Sequence, residues 1–377
     1  MNILHVAPID SKRISGIKEN AVNLVKAQSA FDGTRVGLLI SSDDCDPWQL
    51  PGIPTITKRE LLRDWPGISW IPRLVKRVFL PDLVVFHSAF IPFHARLAEE
   101  LTKRGIPYVI CPRGAMTREA LAQKAWKKWL GRRLFFDQYV AGAAAIQFLR
   151  QREYERSGDW GRPVIFAGNG VWPPDESVCA HPGSRPDRVF LFLGRLDIYI
   201  KGLDTLIEAC DRCQNVLRHQ RVVVRLVGPD VRGSTEFLAR EIQKRSLGNV
   251  VELVEPVPPE KRSQLLAHAD LLLQPSRTEG HPTAVIDALA HGLPVLISPE
   301  TNVLAEVLAA RAGWGVMVNP SELARELVRL SLVPGEVLAQ AGQAARHYAV
   351  THLSWDRVAA KTLEKYRQIV RVARRAA

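Results

Sequence analysis

Two series of short apolar runs, each run alternating with a stretch of helical spacing, constrain this chain more than any other feature. The first series begins with MNILHVAP at 1–8 and continues through TRVGLLIS at 34–41, PDLVVFHS at 81–88 and IPYVICP at 106–112. AGAAAIQFLR and PVIFAGNGV carry it to residue 171. Runs this short and this uninterrupted suit strands buried on both faces, and the helical HARLAEELTKRG between two of them supplies the crossover a parallel pair requires. The second series is RVFLFLGR, VVVRLVG, NVVELVE, ADLLLQPS and LPVLISP, with the helical KGLDTLIEACDRC after its first run. Between the two series, WPPDESVCAHPGSRPD at 172–187 is rich in proline, charge and small residues and reads as a linker.

The expectation is an α/β chain of two facing, doubly wound, Rossmann-like domains with an interdomain cleft. Its parts are an N-terminal domain at 1–171, a linker at 172–187, a C-terminal domain at 188–352 and a terminal helix at 353–377. The length of 377 residues allows two cores of this size.

Charge narrows the partners. Lys and Arg number 51 against 39 Asp and Glu, a formal balance of +12, which favours anionic ligands such as nucleic acid, a phosphorylated metabolite or an acidic membrane. No apolar run reaches the roughly 18 residues of a spanning helix, and the start lacks the basic region and cleavage site of an export signal. Five cysteines form no paired framework. The expected location is the cytoplasm, with peripheral contact on the inner face of the membrane. Cys210 and Cys213 form one C-x-x-C pair on a helix without a second pair, so no metal site is assigned.

The chemistry concentrates in the second series. LLLQPSRTEGHPTAVIDALAHGLPVLIS at 271–298 combines a buried strand, a polar loop, a helix and another strand. The loop falls at the carboxyl end of the sheet, where doubly wound folds bind ligands. Glu279 can accept hydrogen bonds from ligand hydroxyls, and Asp287, eight residues on, can grip a diol such as ribose. The amides around Gly280 and Thr283 face an anion at the helix start. Either acid alone is equally an ordinary solvated carboxylate. FLFLGRLDIYIKGLDTLIEA at 190–209 places Arg195 after a strand and Lys201 before an amphipathic helix, a pair able to hold a diphosphate from two directions. Standing alone it reads as a surface pair. Asp204 suits helix capping or stabilisation of the helix dipole.

GRLDIYIKGLD and PSRTEGHPTAVIDALAHGLPV resemble the nucleotide-sugar half of the retaining glycosyltransferases of family 4, the group 1 glycosyltransferases, which have the GT-B fold. The resemblance implies that Arg195 and Lys201 hold the donor diphosphate and that Glu279 contacts the donor sugar. It places Gly280, His281, Pro282, Thr283 and Asp287 in the donor site. Asp287 stands where the family has a second glutamate, and His281 where it commonly has an aromatic residue.

In the first series, SGIKENAV at 15–22 resembles the family's first glycine-rich loop, with Ser15 and Gly16 in place of paired glycines; a plain strand-to-helix turn fits equally. YVICPRGAMTREAL at 108–121 carries Arg113 where many members have a histidine that approaches the sugar. Arginine cannot serve as a base near neutral pH, so Arg113 is assigned to phosphate or acceptor contact. His87 is the alternative histidine for that contact, against a structural reading as a hydrogen-bonded core histidine.

The block at 116–136 holds six Lys or Arg, one acid and interspersed aromatics, which fits either an anionic membrane surface or a domain core with basic ends, and 63–80 is grouped with it. SWDRVAAKTLEKYRQIVRVARR at 354–375 resembles the family's last helix, which implies that the segment 353–377 crosses back toward the N-terminal domain; Trp355 and Tyr366 on it read as packing residues.

The implied reaction is transfer of a sugar from a nucleotide diphosphate sugar to a hydroxyl of a glycan or lipid-linked acceptor, with retention, in surface polysaccharide, lipopolysaccharide or exopolysaccharide synthesis. No cofactor beyond the donor and no specific nucleic acid is expected. The rival readings are a nucleotide-sugar epimerase and a non-catalytic nucleotide-sugar-binding scaffold.

Overall fold

The computed structural model describes residues 1–9, 16–42, 50–62, 70–122 and 136–376. They form two units, Met1–Gly170 together with Trp355–Ala377, and Val171–Ser354.

The first unit is built on a seven-stranded sheet. Its strands are β1 (Asn2–Ala7), β2 (Arg35–Ile40), β3 (Thr55–Thr57), β4 (Leu83–His87), β5 (Tyr108–Cys111), β6 (Ala145–Phe148) and β7 (Val164–Phe166), in the order β3-β2-β1-β4-β5-β6-β7. Every pairing is parallel. The apolar runs lack alternation because both faces are covered. Leu4 and Val6 of β1 join Phe86 and Tyr108 in one core, while Ile3 packs on the opposite face with Leu363, Tyr366 and Val370 of the terminal helix. That helix, Trp355–Ala376, also sets Trp355 and Ala359 against Leu24 and Ala27 of the helix Gly16–Ser29.

The second unit repeats the scheme with six strands, β8 (Arg188–Leu193), β9 (Val222–Val227), β10 (Val251–Val254), β11 (Leu271–Gln274), β12 (Val295–Ile297) and β13 (Gly313–Gly315), in the order β10-β9-β8-β11-β12-β13. Phe190 and Phe192 pack with Leu206 and Leu327 on one face, Leu191 and Leu193 with Val285 and Leu289 on the other. In each sheet the strand order reverses once, between β1 and β4 and between β8 and β11. The space outside the carboxyl ends at such a reversal is where open α/β sheets hold ligands.

The chain passes between the units at Gly170–Val171 and Ser354–Trp355. Residues 172–187, which composition presents as a linker, instead pack on the second unit. Ala180 is buried and donates its N–H to the carbonyl of His291 at 2.7 Å, and Gly183 donates to Oδ1 of the buried Asp270 at 2.7 Å. Asp270 also takes the N–H of Val189 at 2.8 Å, so one carboxylate ties the segment to β8. Proline and glycine content marks an irregular backbone here, and the contacts that fix its path go to distant groups, the carbonyl of His291 and the carboxylate of Asp270.

Of the basic block at 116–136, residues 123–135, with Trp126, Trp129, Leu130, Phe135 and most of its cations, lie outside the described residues. Met116 and Phe136 at its ends belong to the first unit's core. In the associated segment 63–80, Trp70, Leu74, Val78 and Phe79 are buried in that core, while Val75 and Leu80 are exposed. Among the described residues no helix is long and apolar enough to cross a membrane.

Candidate functional site

At the reversal in the second unit, the loop after β8 and the loop after β11 are locked together. Gly202, just before the helix Leu203–His219, has φ +68, and a Cβ there would lie 2.0 Å from the carbonyl oxygen of Pro275. Glycine alone permits both the left-handed backbone and the approach. Lys201 is thereby set beside the second loop, and its Nζ donates to Oε1 of Glu279. The side chains are 13% and 12% exposed, so this is a shielded pair whose one open side faces solvent.

Glu279 is held from several sides. Its Oε1 also accepts from Nε2 of Gln274 at 3.0 Å and from the hydroxyl of Ser276 at 2.9 Å. Its N–H donates to the carbonyl of Glu300 at 3.1 Å, while Nδ2 of Asn302 donates to the carbonyls of Glu279 and Gly280. Three donors converge on Oε1, and among the described residues Oε2 has none. The carboxylate is thus oriented with one acceptor oxygen in reserve. Arg195 is exposed, and its side chain makes no hydrogen bond or ion pair among the described residues.

Arg277 holds the two loops in register. Its Nη1 donates to Oδ1 of Asp204 at 2.7 Å and to the carbonyl of Tyr199 at 2.8 Å; its Nη2 donates to Oδ2 of Asp204 at 2.8 Å and to the hydroxyl of Thr205 at 2.9 Å. Its own N–H reaches the carbonyl of Ile200 at 2.8 Å, and its guanidinium lies 4.5 Å from the centre of the Tyr199 ring. Asp204 raises the pKa of Arg277 further above its ordinary value. The capping role expected for Asp204 is therefore corrected, since no side chain caps this helix and the carboxylate is committed to the arginine fork, while its place in the first turn fits the alternative expectation of helix-dipole stabilisation. Two N–H donors in a rigid plane match two carboxylate oxygens better than one backbone amide matches either.

The remaining expected donor-site residues are distributed along the next helix. His281 is buried, and Pro282 precedes Thr283, the first residue of the helix Thr283–Ala290, whose opening amides no side chain caps. Asp287 lies one turn in, with Oδ2 3.5 Å from Nη1 of Arg262 on the helix Pro259–Ala267. It serves a different partner from Glu279.

The first unit places the other expected residues at its own reversal. Arg113, just past β5, has φ +51 and is partly exposed. Its Nε and Nη2 approach Nδ1 of His87, the last residue of β4, at 3.2 and 3.1 Å, and its Nη1 donates to Oδ1 of Asn169 at 2.9 Å. His87 is fully buried, and its Nε2 lies 2.9 Å from Nδ1 of His5. Both ring nitrogens are thus occupied by protein partners, which corrects His87 from a ligand contact to a support for Arg113. Burial holds His87 well below the usual histidine range and His5 at about 4, with the positive charge of Arg113 acting in the same direction. Gly16 opens its helix with room for a Cβ, the nearest atom being Nδ2 of Asn20 at 3.8 Å, so the protein's own packing does not demand glycine there. Ser15 lies outside the described residues.

Sequence reasoning missed Gln274, Ser276, Arg277, Asn302, His5 and Gln28. Ser276, three residues before Glu279, was open to a local reading. Arg277 and Asp204 are 73 positions apart, and only the fold joins them.

The profile of the family described as "Glycosyl transferases group 1" matches residues 180–348. The MMP alpha-(1->4)-mannosyltransferase of Mycolicibacterium hassiacum is 33% identical over 293 residues, covering 73% of this chain and 68% of that protein. The chain belongs to the group 1 glycosyltransferases. It is also 32% identical over 206 residues to the D-inositol 3-phosphate glycosyltransferase of Streptomyces bingchenggensis, covering 52% of this chain and 44% of that protein. With the lipopolysaccharide glucosyltransferase WaaG of Escherichia coli it shares 31% identity over 153 residues, covering 40% and 39%. The chain thus spans less than half the length of these last two relatives. Among solved structures, sucrose-phosphate synthase from Thermosynechococcus elongatus superposes with a TM-score of 0.74 at 17% identity, covering 98% of this chain and 99% of that one. Anabaena Alr3699/HepE in complex with UDP gives 0.73 at 17% identity, covering 98% and 100%. The fold of this group 1 member is GT-B, with two Rossmann-like lobes on parallel sheets.

Proposed function

We propose that this group 1 glycosyltransferase moves a sugar from a nucleotide diphosphate sugar to a hydroxyl of a glycan or lipid-linked acceptor, with retention at the anomeric carbon. The observation that carries the reading is the contact of Lys201 with Glu279 at the strand-order reversal, beside the uncommitted Arg195. A cation without a partner among the described residues and a carboxylate with one oxygen open among them fit a ligand that presents phosphates to one side and hydroxyls to the other.

In this reading Arg195 and Lys201 bind the donor diphosphate and stabilise the charge it gains as the bond from the anomeric carbon to the phosphate oxygen breaks. Oε2 of Glu279 accepts from hydroxyls of the donor sugar. The uncapped amides at Thr283 and the backbone at Gly280 add neutral donors for the phosphates or sugar. His281 and Pro282 shape the wall beneath them. Asp287 takes the ribose diol, sharing its carboxylate with Arg262. The acceptor oxygen attacks on the face the diphosphate leaves, and its proton passes to the departing phosphate, so no protein side chain serves as covalent nucleophile. The first unit, through Arg113 and Gly16, serves the acceptor or the phosphates.

The relatives acting on lipopolysaccharide and inositol phosphate support a place in surface polysaccharide or glycoconjugate synthesis. A cytoplasmic location with contact at an anionic membrane surface belongs to the same reading.

The test is turnover of a nucleotide-sugar panel with lipid-linked acceptors. Wild type should form a glycosidic product with the donor's anomeric configuration by NMR, and the Arg195→Ala, Lys201→Ala double variant should lose at least about a hundredfold in kcat/KM, since each charge-assisted hydrogen bond is worth roughly 1.5–3 kcal/mol. Undiminished transfer by the double variant rejects the phosphate clamp, an inverted product rejects retention, and conversion of the donor without acceptor indicates an epimerase.

A further inference from the structure

The first unit holds a cation, Arg113, that makes no ion pair among the described residues. Arg113 has five N–H groups. Its Nε–H and one Nη2–H point at a single acceptor, Nδ1 of His87, and one Nη1–H goes to Oδ1 of Asn169. One N–H on each terminal nitrogen remains without an acceptor among the described residues. Both acceptors used are neutral. The carboxylate whose charge it feels, Glu153, makes no ion pair with it: Oε1 accepts from the N–H of Gly114 at 2.5 Å and Oε2 from the N–H of Leu149 at 2.6 Å.

The neutral state of the surroundings is fixed by a directed chain of hydrogen bonds. A guanidinium only donates, so Nδ1 of His87 is the bare nitrogen and its proton sits on Nε2, which donates to Nδ1 of His5 at 2.9 Å. Nε2 of His5 then donates to Oε1 of Gln28 at 2.8 Å, Nε2 of Gln28 donates to the hydroxyl of Thr362 at 2.8 Å, and that hydroxyl donates to the carbonyl of Ala359 at 2.9 Å. Every step runs away from Arg113, so the chain orients the guanidinium and supplies no negative charge to it. Glu153 acts on Arg113 through its charge without contacting it, and a partly buried cation that makes no direct ion pair is stabilised by an anion that does contact it. Its position is a second, independent pointer: it lies past β5 and reaches the end of β4, beside the β1/β4 reversal where this sheet class binds ligands. At the matching reversal of the second unit the shielded cation, Lys201, has a carboxylate partner.

We propose that the carboxyl edge of β4 and β5 in the first unit is an anion-binding site, in which the two remaining N–H groups of Arg113 take a phosphate or carboxylate group carried by the acceptor. This deepens the acceptor-side reading of the first unit and rests on it. A neutral sugar hydroxyl would leave Arg113 without a contacting anion, whereas an oxyanion can accept from both remaining N–H groups.

The experiment follows the Nε–H resonance of Arg113 in the isotope-labelled full chain, assigned through bonds to its own backbone amide. Inorganic phosphate, D-glucuronate and D-glucose are titrated in turn, in wild type and in Lys201→Ala to remove the second unit's clamp. The account expects a saturable shift with one anion or both, unchanged in Lys201→Ala and absent with glucose. Response to phosphate alone identifies a phosphorylated acceptor, and response to glucuronate alone an acidic sugar. Arg113→Gln, followed instead through the backbone amide of residue 113, should weaken binding of the active anion about tenfold or more, and the wild-type titration decides the matter if that variant does not fold. No shift with either anion, or an equal shift with glucose, overturns the proposal. The resonance reports binding without transfer, so a failed glycosyltransferase reading and a failed anion site give different results.

Discussion

Glu279 meets Lys201, Gln274 and Ser276 through the same oxygen, and this convergence leaves its other oxygen open for a ligand. Such orientation depends on residues that touch no substrate themselves. Arg277 is the main one, and its fork is what matters, because a lysine carries the charge without reaching both oxygens of Asp204, Tyr199 and Thr205. Arg277→Lys is therefore expected to lower kcat/KM by about tenfold or more, in line with the loss of one or two charge-assisted bonds, while the far-ultraviolet circular dichroism stays that of the wild type. Rescue to wild-type turnover by lysine would show that charge alone suffices. Lys201 and Glu279 were legible in the sequence because their motifs are contiguous. Arg277, Asn302 and His5 were not, since each acts through a partner that only the folded sheet brings near.

At the level of elements, the two loops after β8 and β11 behave as one piece because Gly202 lets the chain turn against Pro275. Adding a single methyl there places a Cβ inside the carbonyl's contact distance and forces a left-handed conformation on an L-residue. Gly202→Ala should destabilise the chain by about 1–3 kcal/mol, read from the urea midpoint, and lower donor affinity along with it as Lys201 withdraws from Glu279. Gly233, which has φ +82 and no neighbour within 4 Å of its Cβ position, is the control for backbone strain without the clash. Strand positions were readable from apolar runs buried on both faces. The path of 172–187 was not, because its regularity lies in hydrogen bonds to Asp270 and His291 rather than in its own composition.

For the whole molecule, the buried histidines of the first unit tie stability to pH. Burial lowers His5 to about 4 and His94 to about 3, and holds His87 well below its ordinary value of 6.5. Above 6.5 these rings are neutral whether the chain is folded or unfolded, and their contribution is complete. As pH falls from 6.5 toward about 4, the unfolded chain takes up protons that the folded His5 excludes, so stability declines through that window. The urea midpoint should fall with acidification in wild type and fall less steeply in His5→Gln; parallel slopes would mean that His5 does not stay neutral in the folded state. The two-lobed parallel architecture was legible from the repeated run-and-helix rhythm, and the proposed function assigns part of the positive balance of +12 to Arg195, Lys201 and Arg113. The most direct test of the central claim, that the second unit grips a nucleotide diphosphate through its first-motif cations, is equilibrium binding of UDP, GDP and ADP by calorimetry to wild type and to the Arg195→Ala, Lys201→Ala variant. At least one of these nucleotides should bind the wild type, and the variant should bind it about a hundredfold more weakly while keeping the far-ultraviolet circular dichroism of the wild type; equal affinity in the two proteins, or no binding to the wild type, would contradict the claim.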